Sequence, residues 1–235
     1  MNKLILGNKD DLKNIFITED TYLQLELENS NNDIHIEVAK GICLKVFQLS
    51  KKTSNKVEYV LNENSSVIVN NFGIDNQDKI DIYLNNLSNI NYNLNLINHN
   101  GNYIEQNINH NGNHVISKIT NHCVNYSNDS FRFLINSNIP TNSYECDCDQ
   151  NNKIINMSSG KNIISPNLIV DNNLVDAKHS AYIGNFDDDV YFYLQSRGLT
   201  KEKIDKLLIE GFLIGYTDID NKEKQRVLDF FNFNN

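Results

Sequence analysis

From about residue 20 the apolar side chains recur at every second position. Leu23, Leu25 and Leu27 open the series, followed by Ile34, Ile36 and Val38, then Ile42, Leu44 and Val46, then Val57, Tyr59 and Leu61. A period of two sends alternate side chains to opposite faces of an extended backbone, so each run predicts a strand with one buried and one wet face. The pattern continues through Val67-Ile-Val69, Ile80-Asp-Ile-Tyr-Leu84 and Ile90-Asn-Tyr-Asn-Leu-Asn-Leu96, with turns expected at Asn100-Gly101 and Asn111-Gly112. Many short strands with no helical segment between them predict an all-β core. Periodicity alone leaves a sandwich, a barrel and a solenoid open, and no strict repeat is visible.

After His179 the period changes. Asp187 or Asp188 can cap a helix carrying Val190, Tyr191 and Leu194, and Gly198 stands where a left-handed residue would close it. Thr200 then caps a second helix, whose Ile204, Leu207, Leu208 and Phe212 fall at the spacing of an apolar stripe. Asp220 and Glu223 form a capping-box pair ahead of Val227, Leu228 and Phe231, which predicts a third helix. The chain therefore divides into a strand-built core over 1–180 and a helical domain over 181–235.

At 235 residues the chain is long enough to bury a substantial core. A net charge of −9 argues against nucleic acid as a partner, because phosphate binding relies on clustered Lys and Arg. Leu4-Ile-Leu6 is followed at once by Asn8, Lys9, Asp10 and Asp11, too short for a membrane span or signal segment, so no membrane association and a cytoplasmic location are expected. Four irregularly placed cysteines fit reduced thiols better than a disulfide framework. Asparagine is heavily over-represented, which drift in an AT-rich genome would explain. These residues alternate with Ile, Leu and Tyr, and loose polar tracts rarely do.

The stretch from Pro166 to Phe212 resembles the SufB/SufD family of iron–sulfur cluster assembly scaffolds. A proline-led strand with Leu168 precedes His179; Phe192, Tyr193, Leu194, Ser196, Arg197, Gly198 and Leu199 follow on a helix; Leu207, Leu208, Gly211 and Phe212 lie on the next. Fainter correspondence runs upstream through His122, Tyr126, Ser130 and Phe133. The resemblance implies a right-handed parallel β-helix (β-solenoid) core with a small C-terminal α-helical domain, mounted as a knob on the end of the rod. It also implies a form reduced by loss of the family's N-terminal helices. In stacked coils asparagine amides can form hydrogen-bonded ladders, giving the composition a structural reason.

By the same resemblance His179 is a candidate metal ligand, since a neutral imidazole ligates iron; a hydrogen-bonded structural histidine is the competing reading. Ser180 stands where SufB-type members have glutamate and SufD-type members usually glycine, leaving the subunit type open. Cys146 and Cys148 are the one close thiol pair; on an extended strand both sulfurs face one way, about 7 Å apart, wide for two ligands of one iron. His99, His110, His114 and His122 match no ligand spacing and are expected on the solvated polar face.

The resemblance also implies that the helices around Arg197 form the docking surface for SufC, the ABC-type ATPase. Tyr193, Leu194, Leu199 and Phe212 are the expected apolar anchors there, beside Arg197 and Gly198. No G-x-x-x-x-G-K-[ST], G-x-S-x-G, H-E-x-x-H or C-x-x-C occurs, so autonomous catalysis is not expected. The expected function is a non-catalytic scaffold that pairs with a SufB-like or identical subunit as a dimer. It would hold no resident cofactor, and a transient iron–sulfur cluster would form at the subunit interface. Two rivals are a structural interaction protein that has lost cluster assembly, and a β-solenoid carbohydrate-active enzyme. The latter needs convergent carboxylates, whereas the acidic residues here are scattered or gathered at helix starts, as in Asp187-Asp-Asp189.

Overall fold

The computed structural model describes residues 1–233. The alternating runs form strands that stack in two parallel sheets. One sheet holds β1 (Asn2–Gly7), β3 (Thr21–Glu28), β5 (Cys43–Lys51), β7 (Ser66–Ile74), β9 (Asn89–Asn98), β11 (Ile116–Asn125), β13 (Cys146–Asn156) and β15 (Val175–Gly184), side by side in that order. The facing sheet holds β2 (Ile15–Ile17), β4 (Asp33–Val38), β6 (Lys56–Leu61), β8 (Lys79–Leu84), β10 (Tyr103–His110), β12 (Arg132–Ile139) and β14 (Ile163–Val170). Each strand pairs with the strand two ahead, all in parallel. The architecture is a β-solenoid, in which each coil contributes one strand to each sheet.

Register explains both the stacking and the lack of an obvious repeat. Thr21 pairs with Leu44, Cys43 with Ser66 and Ser66 with Asn89, a constant advance of 23 residues per coil. Longer turns then lengthen the coils, so that Asn89 pairs with Ile116 and Ile116 with Asp147. The strands stay aligned while the sequence period drifts.

Inward positions form a continuous core between the sheets, with Leu23, Leu25, Ile36, Tyr59, Tyr92 and Phe133 among its buried members. The asparagine ladders run along the outside and the corners. On the outer face of the seven-stranded sheet Asn167 donates to Asn136 (2.7 Å), Asn136 to Asn107 (2.8 Å), and Asn107 to the Asp81 carboxylate (2.7 Å). At a corner Asn98 donates to Asn125 (2.7 Å), which donates to Asn162 (2.9 Å). Each rung ties one coil to the next, and at the corner the rungs satisfy Asn98 and Asn125 amides that stacking buries.

The helices are α1 (Asp188–Ser196), α2 (Lys201–Ile214) and α3 (Asn221–Phe230). Asp187 caps α1, Thr200 caps α2, and Asp220 with Glu223 closes a full capping box on α3. Gly198 takes φ +87, the left-handed turn that separates α1 from α2.

Their position corrects the expectation of a knob on the end of the rod. α2 and α3 fold back along the outer face of the eight-stranded sheet, α2 against β9 and β11 and α3 against β5. A second apolar core forms there from Phe47, Phe72, Ile97 and Val124 of the sheet with Leu213 and Val227 of the helices. Polar ties extend it: the Tyr22 hydroxyl donates to Glu223 (2.6 Å), Arg226 pairs with Glu26 (2.5 Å) while lying over the Phe47 ring, and the Tyr216 hydroxyl donates to Asn95 (2.7 Å). The physical reason lies in outward apolar residues on the sheet, which only a covering layer can shield from water.

Two histidines also depart from expectation. His110 points inward and His122 lies beneath α2, both buried. His99 and His114 do face solvent, paired with Asp75 (3.1 Å) and Glu145 (2.9 Å).

Candidate functional site

Among the described residues no further strand pairs with the last coil of the solenoid. β14 and β15 each have one neighbour in their sheet, leaving a row of backbone donors and acceptors on each free edge. Pro166, which lacks an N–H, is tolerated at such an edge. The inward side chains of this last coil, Ile164, Leu168, Val175 and Ala177, are half-buried against the core below. Around them Ile169 is 52% exposed, Leu174 67% and Tyr182 48%, apolar surface left open to water at this end.

His179 lies on β15 and continues the inward series of Val175 and Ala177, stacked above Gln150 of β13. With no further coil above, it is exposed at the mouth of the solenoid. The interior beneath it is polar. Gln150 donates to Ser137 (2.7 Å), Gln106 and Asn121 exchange a reciprocal amide pair (3.0 and 2.7 Å), and His110 Nε2 meets Ser117 Oγ at 2.9 Å. Gln150 Oε1 is buried without a partner. Burial holds the His110 imidazole down to about 4, so it stays neutral.

Cys146 and Cys148 also face inward on β13, and both are buried. Cys146 Sγ donates to the Gly112 carbonyl (3.5 Å), and Cys148 is stacked below Ala177, one inward position from the His179 pair. Burial raises both thiols above their ordinary range, which disfavours the thiolate that iron requires. Among the described residues no three His, Cys, Asp or Glu side chains gather as a metal site.

The second surface is the α1–α2 pair. Tyr193 is 55% exposed and its ring lies 5.2 Å from the Arg197 guanidinium, a cation–π contact on the outer side of α1. Gly198 is exposed in the turn, while Leu194 and Leu199 are half-buried. Phe212 sits apart from this group. Its ring stacks on His122 at 4.4 Å, nearly parallel, and its carbonyl accepts from His122 Nδ1 (2.8 Å), so it anchors α2 to the sheet. Two exposed apolar side chains escaped the sequence reading of this surface: Phe192, 75% exposed, and Leu207, 51% exposed. The sequence placed Leu207 on the buried stripe of α2, whereas the residues that α2 buries are Ile204, Ile209, Leu213 and Ile214, which turns Leu207 outward. The inner side of α1 is fixed by the Tyr191 hydroxyl, which donates to Asp205 of α2.

None of the described helices is long and apolar enough to cross a membrane. Residues 82–212 match the family model for the SUF system FeS cluster assembly SufBD core domain. Among curated proteins, the iron–sulfur cluster assembly protein SufD of Bacillus subtilis (strain 168) is 31% identical over 87 residues, covering 35% of this chain and 20% of that protein. An iron–sulfur cluster assembly SufBD family protein of Mycobacterium leprae (strain TN) is 44% identical over 48 residues, covering 20% of this chain and 12% of its own length. The matched stretches thus amount to a fifth or less of these relatives. The family model, however, spans more than half of the present sequence, from the β8 strand through the Phe212 anchor, and on that basis the chain belongs to the SufBD family of SUF-system iron–sulfur cluster assembly proteins.

Proposed function

We propose that this chain is a non-catalytic scaffold that pairs through its open terminal coil and docks a SufC-type ABC ATPase through α1 and α2. The observation that carries the reading is the uncovered last coil, where two free strand edges, exposed apolar side chains and His179 come together. A SufB-like or identical subunit set edge-to-edge against β14 and β15 would satisfy the free backbone groups and cover Ile169, Leu174 and Tyr182. His179 would then lie in the seam, its neutral imidazole available to a transient iron–sulfur cluster carried as cargo.

Phe192, Tyr193, Leu207 and Arg197 supply the aromatic and arginine mix typical of interface hot spots. Since α2 and α3 are bound along the sheet, movement of a docked ATPase would pass directly into the solenoid wall, shifting the paired scaffolds between two arrangements. The expected result of Y193A combined with R197A is loss of co-elution with a SufC-type ATPase, at least a ~30-fold weakening, as hot-spot truncations of about 2 kcal/mol imply. Far-UV circular dichroism should stay unchanged, because both side chains face solvent. Undiminished co-elution would remove this surface from the reading.

A further inference from the structure

We propose that the outer face of the eight-stranded sheet carries a binding site for a small zwitterion of amino-acid type, independent of the pairing and docking surfaces. The site is a polar depression of about 310 Å³ beside the segment that links α2 to α3. Its floor is made by outward residues of β9, β11 and β13, with Thr120 paired to Asn93 on one side and Asn151 on the other.

The charges around this floor are unspent and separated. Lys118 of β11 and Lys153 of β13 line it, and neither forms an ion pair or side-chain hydrogen bond among the described residues. Asp218 lies at the opposite side, over the β7–β9 half of the floor. It is positioned there by its backbone carbonyl, which accepts from Asn70 Nδ2 (3.4 Å), and its carboxylate likewise has no partner among the described residues. Cations thus stand on the β11–β13 side and an anion on the β7–β9 side. Adjacent strands are about 4.8 Å apart, so β9 and β13 lie about 10 Å apart, the reach of an ammonium and a carboxylate on one carbon with a hydrogen bond at each end.

A second observation points to an absent donor. His122, 6% exposed, gives its Nδ1 proton to the Phe212 carbonyl, which leaves Nε2 as an acceptor; that atom and Asn91 Oδ1 are buried in the walls of the depression with no partner. A buried acceptor left unpaired is costly, and an incoming N–H group would relieve it. Reaching Nε2 takes an outward turn of Tyr216, whose ring lies 4.3 Å from the imidazole and whose hydroxyl gives up its bond to Asn95 in turning. The ligand ammonium therefore sits between Asp218 and His122, and its carboxylate meets Lys118 and Lys153. An inorganic anion would satisfy the lysines and leave Asp218 and both acceptors unmet.

Isothermal titration of the whole chain with the common L-amino acids tests this, with matched amines, matched carboxylic acids and inorganic phosphate as controls. At least one amino acid should bind, with affinity falling about ten-fold or more when either its amino or its carboxylate group is removed. K118M with K153M, at an exposed and a half-buried outward position, should abolish binding while leaving the fold intact, and Tyr216 amide resonances should shift only in the wild type. The proposal is overturned if no amino acid binds, if phosphate binds where amino acids do not, or if the double lysine variant binds as well as the wild type. ATPase co-elution should be unaffected by K118M and K153M, so failure here is distinguishable from failure of the scaffold reading.

Discussion

Between pH 7 and pH 4 the wild-type fold is expected to lose about 3 kcal/mol of stability, and a D78N variant about twice that. Three buried groups set the balance. His110 sits inside the solenoid and His122 beneath α2, and burial holds each imidazole down to about 4 against an ordinary 6.5. Between those two values the unfolded chain binds the proton and the folded chain refuses it. Stability therefore falls as pH drops through the window, by on the order of 3 kcal/mol for each histidine. Asp78 works in the opposite sense. Burial pushes its carboxyl up to about 6 from 3.8, despite hydrogen bonds from Thr53 (3.0 Å) and the Asn55 amide (2.7 Å). Here the folded chain takes the proton first, so acidification from pH 6 towards 4 relieves a charge held in the corner stack and offsets about one histidine.

An asparagine at 78 retains an acceptor for Thr53 and Asn55 but has no charge to relieve, which exposes the full histidine loss. Urea unfolding at pH 7 and pH 4, for wild type and D78N, reads both numbers. A D78N protein as stable at pH 4 as at pH 7 would mean that the two imidazoles are protonated in the folded state.

The second large effect is expected from F72A, which should cost about 3–5 kcal/mol and act unevenly across the molecule. Phe72 is fully buried, yet it points away from the core between the sheets. It packs against Phe47 (ring centroids 5.9 Å apart) and Phe231 (6.3 Å), joining the tail of α3 to the sheet. Its loss opens the second core. Hydrogen exchange should show amides of α3 and the C-terminal turn of α2 losing protection while those of β7 and β9 keep theirs. Equal loss of protection in both regions would mean that the two cores melt as one unit.

This second core also marks the limit of what the sequence made legible. Strands followed directly from the alternation of Leu23 to Leu27 or Ile90 to Leu96, and helix starts from the capping chemistry of Asp187, Thr200 and Asp220. Local rules sufficed because each concerns a few neighbouring residues. The path of the helices was not legible, because it depends on which side chains face outward on strands a whole coil apart in the sequence. A signal was nevertheless present. Val46-Phe47, Leu96-Ile97, Cys123-Val124 and Ile154-Ile155 break the alternation with two apolar residues in a row, and register aligns Ile97, Val124 and Ile155 in one outward stripe. Such doublets mean burial on both faces, hence a covering layer.

The candidate sites divided similarly. Tyr193 and Arg197 are exposed together at the α1–α2 turn, where the resemblance put a docking surface. Phe212 satisfies the same motif but is committed to His122, because a helix stripe read without its partner surface does not reveal which members it buries. Cys146 and Cys148 share one face of a strand as their spacing required, and that face proved to be the interior. The buried polar pairs beneath His179 were hidden because Gln106 and Asn121, or Ser137 and Gln150, sit on opposite sheets and look like ordinary polar residues until the fold brings them together.

Native mass spectrometry of the chain co-expressed with a SufB-like scaffold and a SufC-type ATPase tests the central claim most directly. The scaffold reading predicts a particle holding two solenoid chains, identical or different, with ATPase bound, and release of the ATPase alone from this chain when Tyr193 and Arg197 are replaced. Recovery of the chain as a lone protomer, with neither a second solenoid nor the ATPase, would contradict it.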